Sequence, residues 1–228
     1  MKIAILVSGG KDSWYAAYLA KKQGHETICI VTLKPERADS YMFHFPNVDF
    51  VEKQAEAVDL PLVMLPTEGE KEKELRELKE AIKLAKQKHK IEGVCAGALA
   101  SNYQKERIEA ICEELELRAI TPLWHMNPMM YMRGLLLNNF KVIITGIAAD
   151  GLTEEWLGKE LERNSLEELR RLSVKHGFHI AGEGGEYETF VLDCPLFKRR
   201  LEIWDSDTVM ENPCTGKVLF KDVQLVKK

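Results

Sequence analysis

No stretch of the 228 residues is apolar for long enough to span a bilayer, and the start lacks the charged-then-apolar layout of a secretion signal. The expectation is a cytoplasmic protein with no membrane partner. Cysteine is scarce and scattered: Cys29, Cys95, Cys112, Cys194 and Cys214 stand singly, with no Cys-x-x-Cys pair. That spacing argues against a zinc site. Cys29 and Cys95 lie in apolar runs and read as small buried hydrophobes. There is no excess of positive charge. With 32 Lys and Arg against 36 Asp and Glu, the net charge is −4, and no general affinity for polyanions follows. Two familiar nucleotide signatures are also missing. No Gly-x-x-x-x-Gly-Lys-Ser/Thr and no Gly-x-Gly-x-x-Gly occurs. What remains is 45% hydrophobic and 30% charged, ordinary for a globular chain of one large domain or one with a smaller companion.

The chemistry begins at the first residues. Lys2-Ile-Ala-Ile-Leu-Val7 is an apolar run that leads straight into Ser8-Gly9-Gly10-Lys11-Asp12-Ser13. This reads as the first strand of an α/β sheet delivering an anion-binding loop. Paired glycines turn sharply and admit a ligand close to the backbone. Free N–H groups at the next helix start, the Ser8 and Ser13 hydroxyls and the Lys11 ammonium suit a phosphate. A plainer reading has Asp12 and Ser13 merely capping a helix.

A helix over about 12–23 and a strand at Thr27–Thr32 follow, the strand–helix–strand opening of a parallel sheet. Residues 33–46 form an irregular stretch with Tyr41-Met-Phe-His44 inside it, either a flap over the site or aromatics packed on a sheet edge. The pattern then predicts a helix at 48–58, a strand at 60–65 and a charged helix at 70–89 with one apolar stripe. A fourth strand at 93–96 ends at Gly97. Ser101 is placed to cap a helix carrying Asn102, Tyr103, Gln104 and Arg107. Arg107 either reaches an anion or pairs on the surface. A short strand at 118–121 precedes Pro122, Trp124, His125 and Pro128, where a boundary is drawn. Beyond it come a Met-rich helix at 129–139, a strand at 141–147, a helix capped by Asn164 or Ser165, and strands and hairpins to the end.

Gly182-Glu-Gly-Gly-Glu-Tyr-Glu188 is the second chemical stretch. Glycines bring the backbone close to something, and gathered carboxylates need a cation, a positive partner or water. The alternative is a solvated turn.

Ser8–Ser13 resembles the pyrophosphate loop of the N-type ATP pyrophosphatases, which cleave ATP to AMP and pyrophosphate. Within that superfamily the chain resembles the diphthine–ammonia ligase family in its archaeal single-chain form. Gly97-Ala-Leu-Ala-Ser-Asn-Tyr-Gln-Lys-Glu-Arg107, Gly151-Leu-x-x-x-Trp156-Leu-Gly158 and Gly182–Glu188 running on to Asp193-x-Pro195 carry the match, and Tyr41–His44 also fits. The resemblance implies an α/β fold. A Rossmann-like parallel sheet of the adenine nucleotide alpha hydrolase type would occupy residues 1–125, with a smaller α+β substrate-binding domain over 126–228. It implies the catalytic core alone, without the C-terminal extension of some eukaryotic relatives. It further implies that the diphthine carboxylate on translation elongation factor 2 is adenylated and that ammonium then displaces AMP. No glutaminase motif is evident, so free ammonium is the nitrogen source expected. No nucleic-acid partner follows, and a homo-oligomer is left open.

By the same resemblance, ATP is held by Ser8, Gly9, Gly10, Lys11, Asp12, Ser13, Thr32 and Gly97, with Asp12 a candidate for Mg2+. Tyr41, His44, Ser101, Asn102, Tyr103, Gln104, Arg107, Glu183, Glu186, Tyr187 and Glu188 are the substrate-side candidates. Lys11, Asp12, Arg107, Glu183, Glu186 and Glu188 are the candidate catalytic residues. The glutamates would cradle either the trimethylammonium of diphthine or the incoming ammonium.

Overall fold

A computed structural model describes residues 1–35, 47–69 and 71–228. The first half is a five-stranded sheet. In chain order it runs β1 (Lys2–Leu6), α1 (Lys11–Lys22), β2 (Glu26–Pro35), a 3-10 turn at Val48–Phe50, α2 (Val51–Val58) and β3 (Leu62–Thr67). It continues with α3 (Lys71–His89), β4 (Gly93–Cys95), α4 (Asn102–Glu114) and β5 (Arg118–Ile120). All neighbours pair in parallel, in the order β3-β2-β1-β4-β5.

Alternation along the strands sorts the core. Ile3, Ile5 and Ile30 face one side, against Trp14, Ala17, Val51 and Ala55 of α1 and α2. Ala4, Val31 and Leu33 face the other, against Leu78, Ile82 and Ala85 of α3 and Ile108 and Ile111 of α4. A parallel sheet buried on both faces explains why these strands read as continuous apolar runs. The strand order reverses between β1 and β4. In open α/β sheets the crevice beyond the strand ends at such a reversal is where ligands bind.

The second half supplies α5 (Pro128–Leu137), β6 (Lys141–Ala148), a 3-10 turn at Glu154–Trp156, α6 (Arg163–His176), β7 (Tyr187–Asp193), β8 (Arg199–Asn212) and β9 (Thr215–Lys227). Its sheet is antiparallel, in the order β7-β6-β9-β8. One buried cluster spans both halves. Trp14 meets Phe197 edge-on at 4.7 Å between ring centres, and Tyr15 lies 5.3 Å from Tyr131. Gln54, fully buried, ties the halves at the opening loop. It accepts from Trp14 Nε1 at 2.8 Å and donates to the carbonyls of Gly9 at 3.0 Å and Val191 at 2.8 Å.

Most predicted elements lie within a few residues of the observed ones, and two local expectations change. Helix α1 starts at Lys11, with Gly10 in the cap position and neither Asp12 nor Ser13 capping it; the Ser13 hydroxyl donates back to the Gly10 carbonyl at 3.1 Å. Helix α6 is capped by Glu162, not by Asn164 or Ser165. Ser165 is the third helical residue, and its Oγ accepts from the Glu162 N–H at 2.7 Å, so the box forms with the two side chains in swapped roles. Of the methionines in α5, Met132 fills the core, whereas Met130 is 71% exposed.

Candidate active site

At the β1–β4 reversal lies a cavity of about 430 Å³, the size of a small-molecule site. One wall is the loop after β1 and the first turn of α1: Ser8, Lys11, Asp12 and Ser13. Thr32 at the end of β2 and Gly97 after β4 add to it, and Gln104 closes it from α4. The facing wall is the glycine–glutamate turn, with Glu183, Tyr187 and Glu188. The two stretches singled out by their composition, far apart in the chain, therefore share one cavity.

Strand β7 fixes the loop. The Val191 N–H donates to the Gly9 carbonyl at 3.0 Å, and the Lys11 N–H donates to Thr189 Oγ1 at 3.2 Å. Gly9 has φ +94, and a Cβ there would stand 2.9 Å from the Phe190 ring. Only glycine adopts that turn at this spacing without strain. Gly9 and Gly10 shape the loop from behind rather than lining the cavity. Gly97 is needed for a different reason: a Cβ there would stand 2.6 Å from the backbone carbon of Asp12.

Lys11 is 2% exposed. Its ammonium donates to both Asp12 oxygens, at 3.0 and 3.2 Å, and lies 5.2 Å from the centre of the Tyr187 ring and 5.9 Å from that of Tyr131. The Tyr131 hydroxyl, fully buried on α5, donates to Asp12 Oδ1 at 2.8 Å. Both Asp12 oxygens are thus engaged. Burial, and then the negative charge of Asp12, push the Tyr131 hydroxyl well above its ordinary value, so it stays a donor.

The three glutamates of the turn do different things. Glu183 Oε2 accepts from the Ala100 N–H at 3.1 Å, linking the turn to the segment before α4. Burial first, then Asp12, raise its carboxyl, while Lys11 opposes. The Glu188 carboxyl is pushed up to about 7, mainly by burial, with Lys11 lowering and Asp12 raising it. Glu186 turns away from the cavity. Its oxygens accept the N–H groups of His179 at 2.8 Å and Gly184 at 2.7 Å, so this carboxylate holds the turn together.

Helix α4 contributes less than expected. Ser101 caps it, its side chain accepting from the Gln104 N–H at 3.3 Å. Among its described residues, Gln104 and Ile108 reach the cavity, and Ser101, Asn102, Tyr103 and Arg107 do not line it. Arg107 stacks on Tyr103, with its guanidinium 3.3 Å from the ring centre. Helical spacing puts residue 107 beside Ile108, on a neighbouring face. Tyr41 and His44 lie outside the described residues. Tyr131 and Thr189 were missed by sequence reasoning. A buried tyrosine needs a partner for its hydroxyl, and that is the one signal Tyr131 offered inside its methionine-rich helix.

The residues accept a nucleotide's chemistry. The Thr32 hydroxyl is buried at the cavity with no hydrogen bond among the described residues, an unmet donor and acceptor at the ligand's place. The first turn of α1, Lys11, Asp12 and Ser13, lines the cavity, which brings the positive end of the helix to it. A metal fits less readily. Among the described residues no group of three His, Cys, Asp or Glu side chains could hold one, and a cation on Asp12 would compete with both Lys11 and Tyr131.

Comparison with known proteins gives the chain a family. The profile described as the diphthamide synthase N-terminal domain matches residues 1–119, and that of the diphthamide synthase C-terminal domain matches residues 127–223. The chain belongs to the diphthamide synthase family. Family members similar to it include the diphthine–ammonia ligase of Mus musculus, 38% identical over 237 residues, which cover 93% of this chain and 86% of that one. The diphthine–ammonia ligase of Homo sapiens is 36% identical, with the same coverage. That of Schizosaccharomyces pombe is 34% identical over the whole of this chain and 40% of its own length. No described helix is long and apolar enough to cross a membrane.

Proposed function

We propose that this chain is a diphthine–ammonia ligase that amidates the diphthine of translation elongation factor 2 in the cytoplasm, using ATP and ammonium and releasing AMP and pyrophosphate. One observation carries the reading: the opening serine–glycine loop and the late glycine–glutamate turn wall the same cavity, and each lies within a span that matches a domain of the family.

The chemical problem is that a carboxylate is a poor acyl donor. Transfer of AMP to the diphthine carboxylate makes an acyl-adenylate and divides one hard step into two easier ones. Negative charge gathers on the departing pyrophosphate. The positive end of α1 and the Lys11 ammonium are suited to stabilise it. Lys11 is held by Asp12 and boxed by two aromatic faces, so its charge is aimed before ATP arrives. Thr32 offers a buried hydroxyl to the nucleotide. Gln104 and Glu183 stand on opposite walls where the substrate's polar groups would enter. Mg2+, when bound with ATP, would neutralise phosphate charge.

The trimethylammonium of diphthine cannot donate an N–H bond. A negative turn and the face of an aromatic ring suit it, and Glu183 and Tyr187 of the cavity wall supply these groups. Thiolation chemistry, known elsewhere in the superfamily, has little support here. Cys29, Cys95, Cys112 and Cys194 are buried, and burial pushes their thiols up to about 12. The test is a Lys11→Ala protein given ATP, ammonium and diphthine-bearing elongation factor 2. Loss of AMP release and amide together supports the reading, and undiminished AMP release overturns it.

A further inference from the structure

We infer that Glu188 is the catalytic base that takes a proton from ammonium, an inference that rests on the amidation reading above. Ammonium, the form that dominates in neutral water, has no lone pair with which to attack. For bound ammonium to react, a group in the cavity removes a proton beside the acyl carbon; the other route is capture of the small fraction present as dissolved ammonia.

Three of the four carboxylates around the cavity and its turn are engaged. Asp12 is held by Lys11 and Tyr131, Glu183 by the Ala100 N–H, and Glu186 by two backbone N–H groups. Among the described residues no hydrogen bond or ion pair holds the Glu188 carboxylate, which lines the cavity. Open lone pairs suit an N–H donor. Ammonium has four such bonds to offer, and the quaternary ammonium of diphthine has none. The position is also fixed. The neighbouring Thr189 binds the Lys11 N–H, which sets this part of β7 against the phosphate loop. Opposite Glu188 on β6 stands Gly146, where a Cβ would approach the Glu188 Cβ to 3.2 Å, so no side chain intrudes there.

The charges that bear on Glu188 are Lys11 and Asp12 of α1, and Glu183 lines the same wall of the cavity. Burial outweighs Lys11, and the carboxyl sits at about 7, where it takes up and gives back a proton with equal ease. In the step, one ammonium proton passes to Glu188. The freed nitrogen lone pair attacks the acyl carbon and a C–N bond forms. The C–O bond to AMP breaks, and its electron pair leaves on the phosphate. The new nitrogen then loses a second proton to water, and Glu188 returns its own. Each amide thus releases two protons.

The test uses the intact protein with ATP and diphthine-bearing elongation factor 2. First, kcat/KM for total ammonium is measured against pH. A base at Glu188 makes it level off above about pH 7. Capture of dissolved ammonia makes it climb about tenfold per pH unit well beyond that, and such a climb overturns the inference. Second, Glu188→Gln is compared with hydroxylamine, a nucleophile already neutral at pH 7, in place of ammonium. The inference expects a loss of about 100-fold or more with ammonium and a much smaller loss with hydroxylamine. Equal losses overturn it. Should the unaltered protein release no AMP with either nucleophile, the amidation reading fails, and this inference with it. Should Glu188→Gln not fold, the pH profile decides alone.

Discussion

The Tyr131 hydroxyl, from the second half of the chain, donates to Asp12 Oδ1 in the first half at 2.8 Å. Asp12 in turn holds the Lys11 ammonium. A residue with no place in either glycine-rich motif therefore sets the direction of the loop's one lysine.

Tyr131→Phe removes that bond and leaves the ring. A buried hydrogen bond to a charged group contributes about 1.5–3 kcal/mol. Urea unfolding is expected to show a loss of about 2 kcal/mol, by the same reasoning. AMP release is expected to fall further than the stability loss explains, because Lys11 loses its fixed aim. Equal activity at a temperature where both proteins are folded would separate Tyr131 from the site.

Gly97→Ala places a methyl 2.6 Å from the Asp12 backbone. Backbone does not yield as a flexible side chain does, so the start of α1 must shift. Calorimetric titration is expected to show ATP binding weakened at least tenfold, with little change in far-ultraviolet circular dichroism. Wild-type affinity would show that the helix start is not part of the nucleotide site.

Glu188 also makes stability depend on pH. Its carboxyl rises from an ordinary 4.5 to about 7 in the folded chain, so the folded state binds the proton more tightly. This contribution is fully present below about 4.5 and is lost as pH rises through about 7. The gap, at about 1.4 kcal/mol per pH unit, amounts to about 3 kcal/mol. Glu188→Gln is neutral throughout. Its stability relative to the parent chain is expected to rise between pH 4.5 and 7 and to level off above. A difference that stays flat with pH would show that the carboxyl is not raised.

Glu186 gives the opposite kind of prediction. Both oxygens hold backbone N–H groups of the turn. Glu186→Gln keeps one acceptor and Glu186→Ala keeps none, so loss of activity and of turn protection in hydrogen exchange is expected to be graded, worse for alanine. Equal effects of the two would point instead to a direct role of its charge.

How much of this was legible in the sequence follows from what kind of interaction each residue makes. The opening loop was legible because apolar strand, paired glycine and helix start are all local. The parallel sheet was legible because its strands are apolar on both faces. Ser101 was read correctly as a cap, while Ser165 was not, since a Ser–x–x–Glu spacing looks the same whichever end of the box the serine occupies. The divergence of Glu183, Glu186 and Glu188 was hidden. Three like residues in one short turn are alike in composition, and only the fold turns one of them inward onto backbone. Arg107 and Gln104 are three apart on one helix, and the cavity takes one and leaves the other. Tyr131 and Thr189 act across the two halves, and no local pattern reports a contact of that kind.

The central claim is that AMP is transferred to the substrate in the cavity between the opening loop and the acidic turn. The most direct measurement is chromatography of the nucleotide products after the protein is mixed with ATP, ammonium and diphthine-bearing elongation factor 2, alongside mass spectrometry of the acceptor protein. The account predicts AMP and pyrophosphate in equal amounts, one of each per amide formed. Amide formation accompanied by ADP and phosphate would contradict it.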